Sequence, residues 1–400
     1  MSALDKESTT INYAHSLRTL NLRDLHLLMD EFCKSRSQTV RQSFFEGGLE
    51  ECHKTKRDVF SGIPQPSLDS HGTTNALADI IMRETRVITR LIWENTDGTS
   101  MDQPIHLHQW LKNLPKLEVF ELFSGAVLND ERVRREVLNC QSLKSLEIFY
   151  WPWGVDTDEA LSRFLSKISG NGLEKLVIKG AHTCVRDLTL STLSSCHGST
   201  LTEFEVEQVS EACLSSLAIA TNITNLRSCR LDLKWAMYEP SDESFITVPV
   251  SEFLGRNQSL ERLDIALFGV EKILPPILPS LKLKHLSITD VLDIFLPDSF
   301  WEAMHSQSSS IESLILDTPN WYPEFNRVSR TMRNSIRLMH KLKVLAITAF
   351  AVGVTDRDVQ GITESCPLLE VLELASLSLT DESLDFLGTL RHLRTFVCLY

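Results

Sequence analysis

No stretch of this chain strings together the roughly 18 apolar residues that a membrane-spanning helix requires. The opening MSALDKESTTINYAH also lacks the apolar centre of a secretory signal. Basic clusters are equally scarce. With 40 Lys and Arg against 53 Asp and Glu, the net charge is −13. That is the wrong sign for neutralising a nucleic-acid backbone or settling on an anionic membrane. Nine cysteines, scattered and odd in number, provide no disulfide framework and point to a reducing compartment. The expected location is cytoplasmic, with the nucleus as the alternative.

Motifs that carry chemistry are missing as well. There is no G-x-x-x-x-G-K-[ST], H-E-x-x-H, G-x-S-x-G or C-x-x-C. His106 and His108 find no partner at zinc-finger spacing in Cys184, Cys196 or His197. The glycine turn SGNGLEK at 169–175 precedes a strand pattern, whereas a phosphate loop precedes a helix. No catalytic, cofactor-binding or metal-ligating residue is expected, so the chain reads as a non-enzyme.

What the chain does contain is a recurring apolar triplet. In CPLLEVLELASLSLTDESLDFL, at 366–387, Leu369, Leu372 and Leu374 are spaced i, i+3, i+5, and the last two alternate as one face of a strand does. Glu373 then points to the opposite face. Thr380 and Asp381 suit the start of a short helix carrying Leu384, Phe386 and Leu387. One such strand, turn and helix cannot bury its own leucines, and the unit recurs. The triplets begin at Ile88, Leu117, Leu143, Leu173, Leu201, Leu226, Leu260, Leu283, Ile311, Leu342, Leu369 and Leu393. These twelve lie 23 to 34 residues apart. Helical patterns fall between them, at 158–169, 210–221, 298–306 and 328–341 among others.

On these residues the chain resembles the leucine-rich-repeat family, in its ribonuclease-inhibitor-like, cysteine-containing branch. The resemblance is carried by Cys366-Pro367-Leu368-Leu369 through Leu374, by Leu379-Thr380-Asp381, by a second start at Cys140-Gln141-Ser142-Leu143, and by the helix start Gly353-Val354-Thr355-Asp356. It covers about residues 86–400. It implies an α/β solenoid of about twelve repeats, with a curved parallel sheet on the concave side and helices on the convex side. Cys366 is then a small apolar residue packed at a helix end rather than a nucleophile.

Residues 1–85 are organised differently, as a helical N-terminal cap or adaptor segment. Leu17, Leu20 and Leu22 could form one more triplet. A helical stripe follows in DLHLLMDEFC, a second helix is expected over 40–60 despite Gly47-Gly48, and SGIPQPSLDSHGTT at 61–74 reads as a loop. A third helix is expected over 75–84. Such a segment either covers the apolar end of the first repeat or, as in F-box proteins that the array resembles, docks on a scaffold. No Leu-Pro opening of an F-box is found.

Function is expected on the concave face and its rim. The residue between the second and third anchors faces away from the core; Glu121, Glu147, Glu205 and Asp264 occupy this position, and Glu94, Glu207 and Asp232 lie just beyond the strands. Aromatic clusters follow three strands and supply Trp151, Trp153, Trp235, Trp321 and Tyr322, as exposed anchors or as buried plugs. The expected function is recognition of a protein partner with a basic surface, without cofactor, nucleic acid or membrane. The alternative is the substrate-recognition subunit of a cullin-type ubiquitin ligase, binding its scaffold through residues 1–60.

Overall fold

A computed structural model describes residues 16–34, 44–45, 50–57, 66–93, 104–151, 157–168, 172–180, 185–233, 244–289, 296–317, 330–348, 354–375 and 379–399. Each apolar triplet builds a strand, because residues two apart share a face and bury together. The leading strands are β1 (Thr19–Asn21), β2 (Thr55–Arg57), β3 (Pro66–Leu68), β4 (Arg90–Trp93), β5 (Val119–Ser124), β6 (Ser145–Tyr150) and β7 (Lys175–Lys179). After them come β8 (Glu203–Glu207), β9 (Ser228–Asp232), β10 (Arg262–Ala266), β11 (His285–Thr289), β12 (Ser313–Asp317), β13 (Val344–Ile347), β14 (Val371–Ala375) and β15 (Thr395–Leu399). Strands β1 and β4 to β15 follow one another in chain order in one sheet, while β2 and β3 pair separately. This strand order, with helices between strands, is that of a leucine-rich-repeat solenoid. The chain divides into two compact units, Met1–Trp153 with Lys167–Val177, and Gly154–Ser166 with Ile178–Tyr400.

In the first unit, Leu20, Leu91, Phe120 and Leu146 stand in register across parallel strands. The Leu17-Leu20-Leu22 triplet therefore does form a strand, β1, which pairs with β4. Its helices are α1 (Leu22–Lys34), α2 (Ser70–Glu84), α3 (Pro104–Lys112) and α4 (Glu131–Leu138). Met29, Phe45, Cys52 and Leu77 form a buried cluster between the leading elements. Two expectations are corrected here. The described part of 40–60 is not one helix: Phe44 and Phe45 are helical, Glu50–Cys52 is a 3-10 turn, and β2 follows. The stretch 61–74 is not simply a loop, since β3 pairs antiparallel with β2 and α2 begins at Ser70. Pro66 is accommodated because a strand end in a two-stranded ribbon needs no donor there.

In the second unit the second anchors line up as Phe204, Cys229, Leu263, Leu286, Leu314, Leu345, Leu372 and Phe396. All but the last are fully buried. The helices are α5 (Thr157–Leu165), α6 (Asp187–His197), α7 (Glu211–Ser216), α8 (Ser244–Arg256), α9 (Val270–Ile273), α10 (Asp298–Met304), α11 (Arg330–Arg337), α12 (Asp356–Ser365) and α13 (Glu382–Leu387). Gly269, with φ of 72°, turns the chain into α9. A Cβ at that position would meet Thr247 Cγ2 at 2.6 Å, so both backbone and space require glycine.

Two kinds of hydrogen bond join neighbouring repeats, the first recurring along both units and the second made in some repeats only. First, a single carbonyl accepts two successive N–H groups from the next repeat. Glu118 accepts from Lys144 and Ser145 at 2.9 Å each, and Glu261 accepts from Lys284 at 2.7 Å and His285 at 3.0 Å. Second, a buried side chain three or four residues before the first anchor reaches back to backbone. Asn257 donates to Ile223 O at 3.1 Å and Phe253 O at 2.8 Å while accepting from Leu226 N at 3.0 Å. Gln307 donates to Leu281 O at 3.0 Å and accepts from Leu283 N at 2.9 Å. His197 Nε2 lies 3.0 Å from Leu165 O.

Cys140 and Cys366 hold the same position, with Cys366 Sγ directed at Met339 O, 3.6 Å away, and Cys140 Sγ at Leu114 O, 3.7 Å away. Burial pushes both thiols up to about 12. They are therefore protonated and unreactive at neutral pH. The seven described cysteines are all free.

The residue after each first anchor starts a further pattern. In the second unit the uncharged Thr202 comes first, and from there on these residues are Arg227, Glu261, Lys284, Glu312, Lys343, Glu370 and Arg394, strictly alternating in charge. Lys284 pairs with Glu261 at 2.9 Å, Lys343 with Glu312 at 2.6 Å and Arg394 with Glu370 at 3.8 Å.

Leu263→Asp should cost more than about 4 kcal/mol, because the carboxylate would be buried without a partner. Glu205→Gln on the outward face should change stability by less than about 0.5 kcal/mol. Thermal denaturation of both variants checks the assignment of faces, which equal losses would contradict. In the folded protein, iodoacetamide should modify exposed Cys196 long before Cys140 or Cys366, as peptide mass spectrometry would show.

Candidate recognition face

The sheet face turned away from the core carries the residue between second and third anchors. In the first unit this column runs Asn21, Ile92, Glu121 and Glu147, and Val177, at the same position of β7, is buried. In the second it runs Glu205, Arg230, Asp264, Ser287, Ile315, Ala346, Glu373 and Val397. The register brings together side chains that lie 23 or more residues apart in sequence. The expected outward positions thus form columns.

The acidic residues on these columns are not bare. Glu121 is 6% exposed, and Arg90, one strand away and one step down, places Nε 2.6 Å from its Oε1. Lys175 Nζ lies 2.9 Å from Glu147 Oε1. In the second unit Glu207 is met by Arg230 at 3.2 Å and Lys179 at 3.7 Å. Asp264 sits between Arg262 Nε at 2.8 Å and His285 Nε2 at 2.9 Å. Burial alone would raise the Asp264 carboxyl, but the hydrogen bonds from His285 and Arg262 outweigh it and hold the group below the ordinary aspartate value. Glu205 is half-buried beside Arg230 in register, and Asp232 is only 4% exposed, its carbonyl accepting from Val209 N at 2.9 Å.

The uniformly acidic half expected from counting carboxylates is therefore replaced by a mosaic of ion pairs. The sequence carries the signal: Arg90, Lys175, Arg262 and His285 each stand two residues before an outward position and share its face; Arg90, Lys175 and His285 reach the neighbouring strand's acid, and Arg262 reaches Asp264 on its own strand.

Trp151 is 1% exposed and lies against Gly125, where any Cβ would overlap its ring. It is a plug packed over the end of β6 and offers no surface to a partner. Trp153, Trp235, Trp321, Tyr322 and Glu94 lie outside the described residues. The exposed aromatics next to Trp151 are Tyr150 and, on β5, Phe123. Sequence reading missed Phe123 because it belongs to the strand and not to the loop after it. His106 contacts Asp79 Oδ1 at 3.4 Å, and Trp110 Nε1 donates to the same oxygen at 2.6 Å, a packing role for that histidine. Among the described residues no group of three His, Cys, Asp or Glu could hold a metal ion, and no helix is long and apolar enough to cross a membrane.

No protein-family model matches the chain, and no curated protein matches it. Among solved structures it is similar to a chain in the crystal structure of the Rad7 and Elc1 complex in yeast. Identity is 15%, the match covers 80% of this chain and 86% of that one, and the TM-score is 0.45. A likeness at that level carries neither fold nor partner, so the repeat architecture rests on the strand order and register described above.

Trp151→Ala should lower stability by about 3–5 kcal/mol, the usual cost of emptying a large buried aromatic site; calorimetry of the free protein tests this. Asp264 gives a pH dependence. Because its folded value is depressed, its stabilisation is present above the unfolded aspartate value of about 3.9 and is lost as pH falls through the folded value. Asp264→Asn should therefore melt below the parent at pH 7, and the two melting temperatures should converge as pH drops below about 3.9.

Proposed function

We propose that this chain is a non-catalytic recognition scaffold that binds a protein partner through the outward sheet face and its rim. The observation that carries the reading is the column of eight outward residues in the second unit, in register from Glu205 to Val397. Seven steps of about 4.8 Å extend it over about 34 Å. No small metabolite spans that length, whereas an extended protein surface does.

The chemistry of the column suits discrimination more than bulk attraction. It passes from paired charges at Arg230 and Asp264 to Ser287 and then to the apolar Ile315 and Ala346, ending on Glu373 and Val397. A partner would match that order of polar, apolar and charged groups. Because the acids are paired with neighbouring cations, a basic partner surface would gain only by displacing or sharing them, and electrostatics would act mainly on specificity and association rate. Free cysteines throughout the described residues support residence in a reducing compartment, the cytoplasm or nucleus.

The test uses the full chain as bait with cross-linking in a cell extract, followed by affinity measurements with each purified partner. Ile315→Arg and Glu373→Arg should each weaken binding at least about tenfold, the effect of disrupting a well-placed interface residue. Leu188→Ser, exposed on α6, should leave binding intact. Partners indifferent to both face substitutions would overturn the reading.

A further inference from the structure

Among the described residues, one cleft of the first unit combines exposed apolar side chains with carboxylates. A cleft of about 460 Å³ opens at the C-terminal ends of β1, β4, β5 and β6, bordered by the first turns of α1. Its size is that of a site for one side chain or a small ligand. Phe123 and Phe149 form a wall. Leu122 pairs with Ile148 and Ser124 with Tyr150, so the two phenylalanines occupy matching positions on adjacent strands. They stand on the same face as Glu121 and Glu147, two residues further along. Phe123 is 42% exposed, and Leu27 across the cleft is 51% exposed.

Two carboxylates belong to the same cleft. Glu121 is the buried one, and the guanidinium already on it, from Arg90, establishes that this carboxylate accepts a guanidinium in this setting. Asp24 is exposed, held by Asn21 Nδ2 at 2.7 Å, and no cation among the described residues pairs with it. With Arg90 already on Glu121, Asp24 is the carboxylate that an incoming cation would meet, and Arg23 is the one cation among the described lining residues.

We propose that this cleft receives an arginine side chain from an extended segment of a protein partner. Its guanidinium would stack on the phenylalanine wall and face Asp24, with Glu121 beneath. The proposal rests on the recognition reading above and deepens it. Arginine fits on three grounds. Its flat cation stacks on aromatic faces, its fork matches a carboxylate, and its alkyl stem covers apolar surface such as Leu27. A purely apolar anchor would desolvate Asp24 without return, and an acidic side chain would be repelled by it.

The test is a ligand-observed NMR titration of the full chain with acetyl-Gly-Gly-Arg-Gly-Gly-amide, its Leu and Glu analogues, and free L-arginine. Saturable binding of the Arg peptide is expected. Asp24→Asn and Phe123→Ala should each weaken it at least about fivefold while the melting temperature stays unchanged, because both side chains are exposed. The Glu peptide should not bind.

Three outcomes would overturn the proposal: stronger binding by the Leu peptide, Arg binding indifferent to both variants, or no Arg binding at all. Free arginine binding as tightly as the peptide would instead assign the cleft to a small ligand and overturn the protein source. The Ile315 and Glu373 variants lie in the second unit, so failure of the arginine site and failure of the recognition reading give separate results.

Discussion

The carbonyl that begins each strand ladder accepts two N–H groups from the following repeat, and much else in the fold follows from that arrangement. A buried backbone group without a partner is expensive, and here the partner always belongs to another repeat. Glu261 serves Lys284 and His285, as Lys343 serves Glu370 and Val371. Asn257, Gln307 and His197 complete the junction from the helix side by satisfying backbone atoms of the preceding turn. Once both connections are made, the leucine anchors have no freedom of register, since a one-residue slip would turn every one of them outward. The outward columns are fixed by the same constraint.

How much of this was legible beforehand depends on whether the deciding contact lies within one repeat or between two. The i, i+3, i+5 spacing is local, so the strands and most helices could be read from it, and Leu20 could be suspected as an extra anchor. Cys366 could be placed at a helix end because its triplet follows at once. The hairpin of β2 and β3 was illegible, since Thr55 and Leu68 gain their meaning only by pairing. The pairing of the acidic face is illegible for a related reason. Arg90 and Glu121 are 31 residues apart, and nothing short of the register says that they meet. Trp151 fits either role on sequence alone, and the room that Gly125 leaves for its ring decides between them.

A face of internally paired charges behaves differently from a uniformly charged one. Each cation holds its acid in a defined orientation, so the face is preorganised, and a partner meets fixed hydrogen-bonding groups instead of a diffuse field. Positions without such a match then stand out. Asp24 beside exposed Phe123 is one, and it lies where the first strands end, while the second unit offers Ile315 in the middle of its column.

The alternating charges beside the first anchors impose a rule of parity. From Arg227 to Arg394 the signs run plus, minus, plus, minus without a break, one per strand at a spacing of about 4.8 Å. Excising a single interior repeat would bring two carboxylates or two cations side by side, an arrangement that is unfavourable between facing strands. Excising two adjacent repeats would restore every opposite-sign neighbour. The column therefore permits this stretch of the array to lengthen or shorten in pairs of repeats and penalises changes by one, a counting constraint independent of how well the leucines pack.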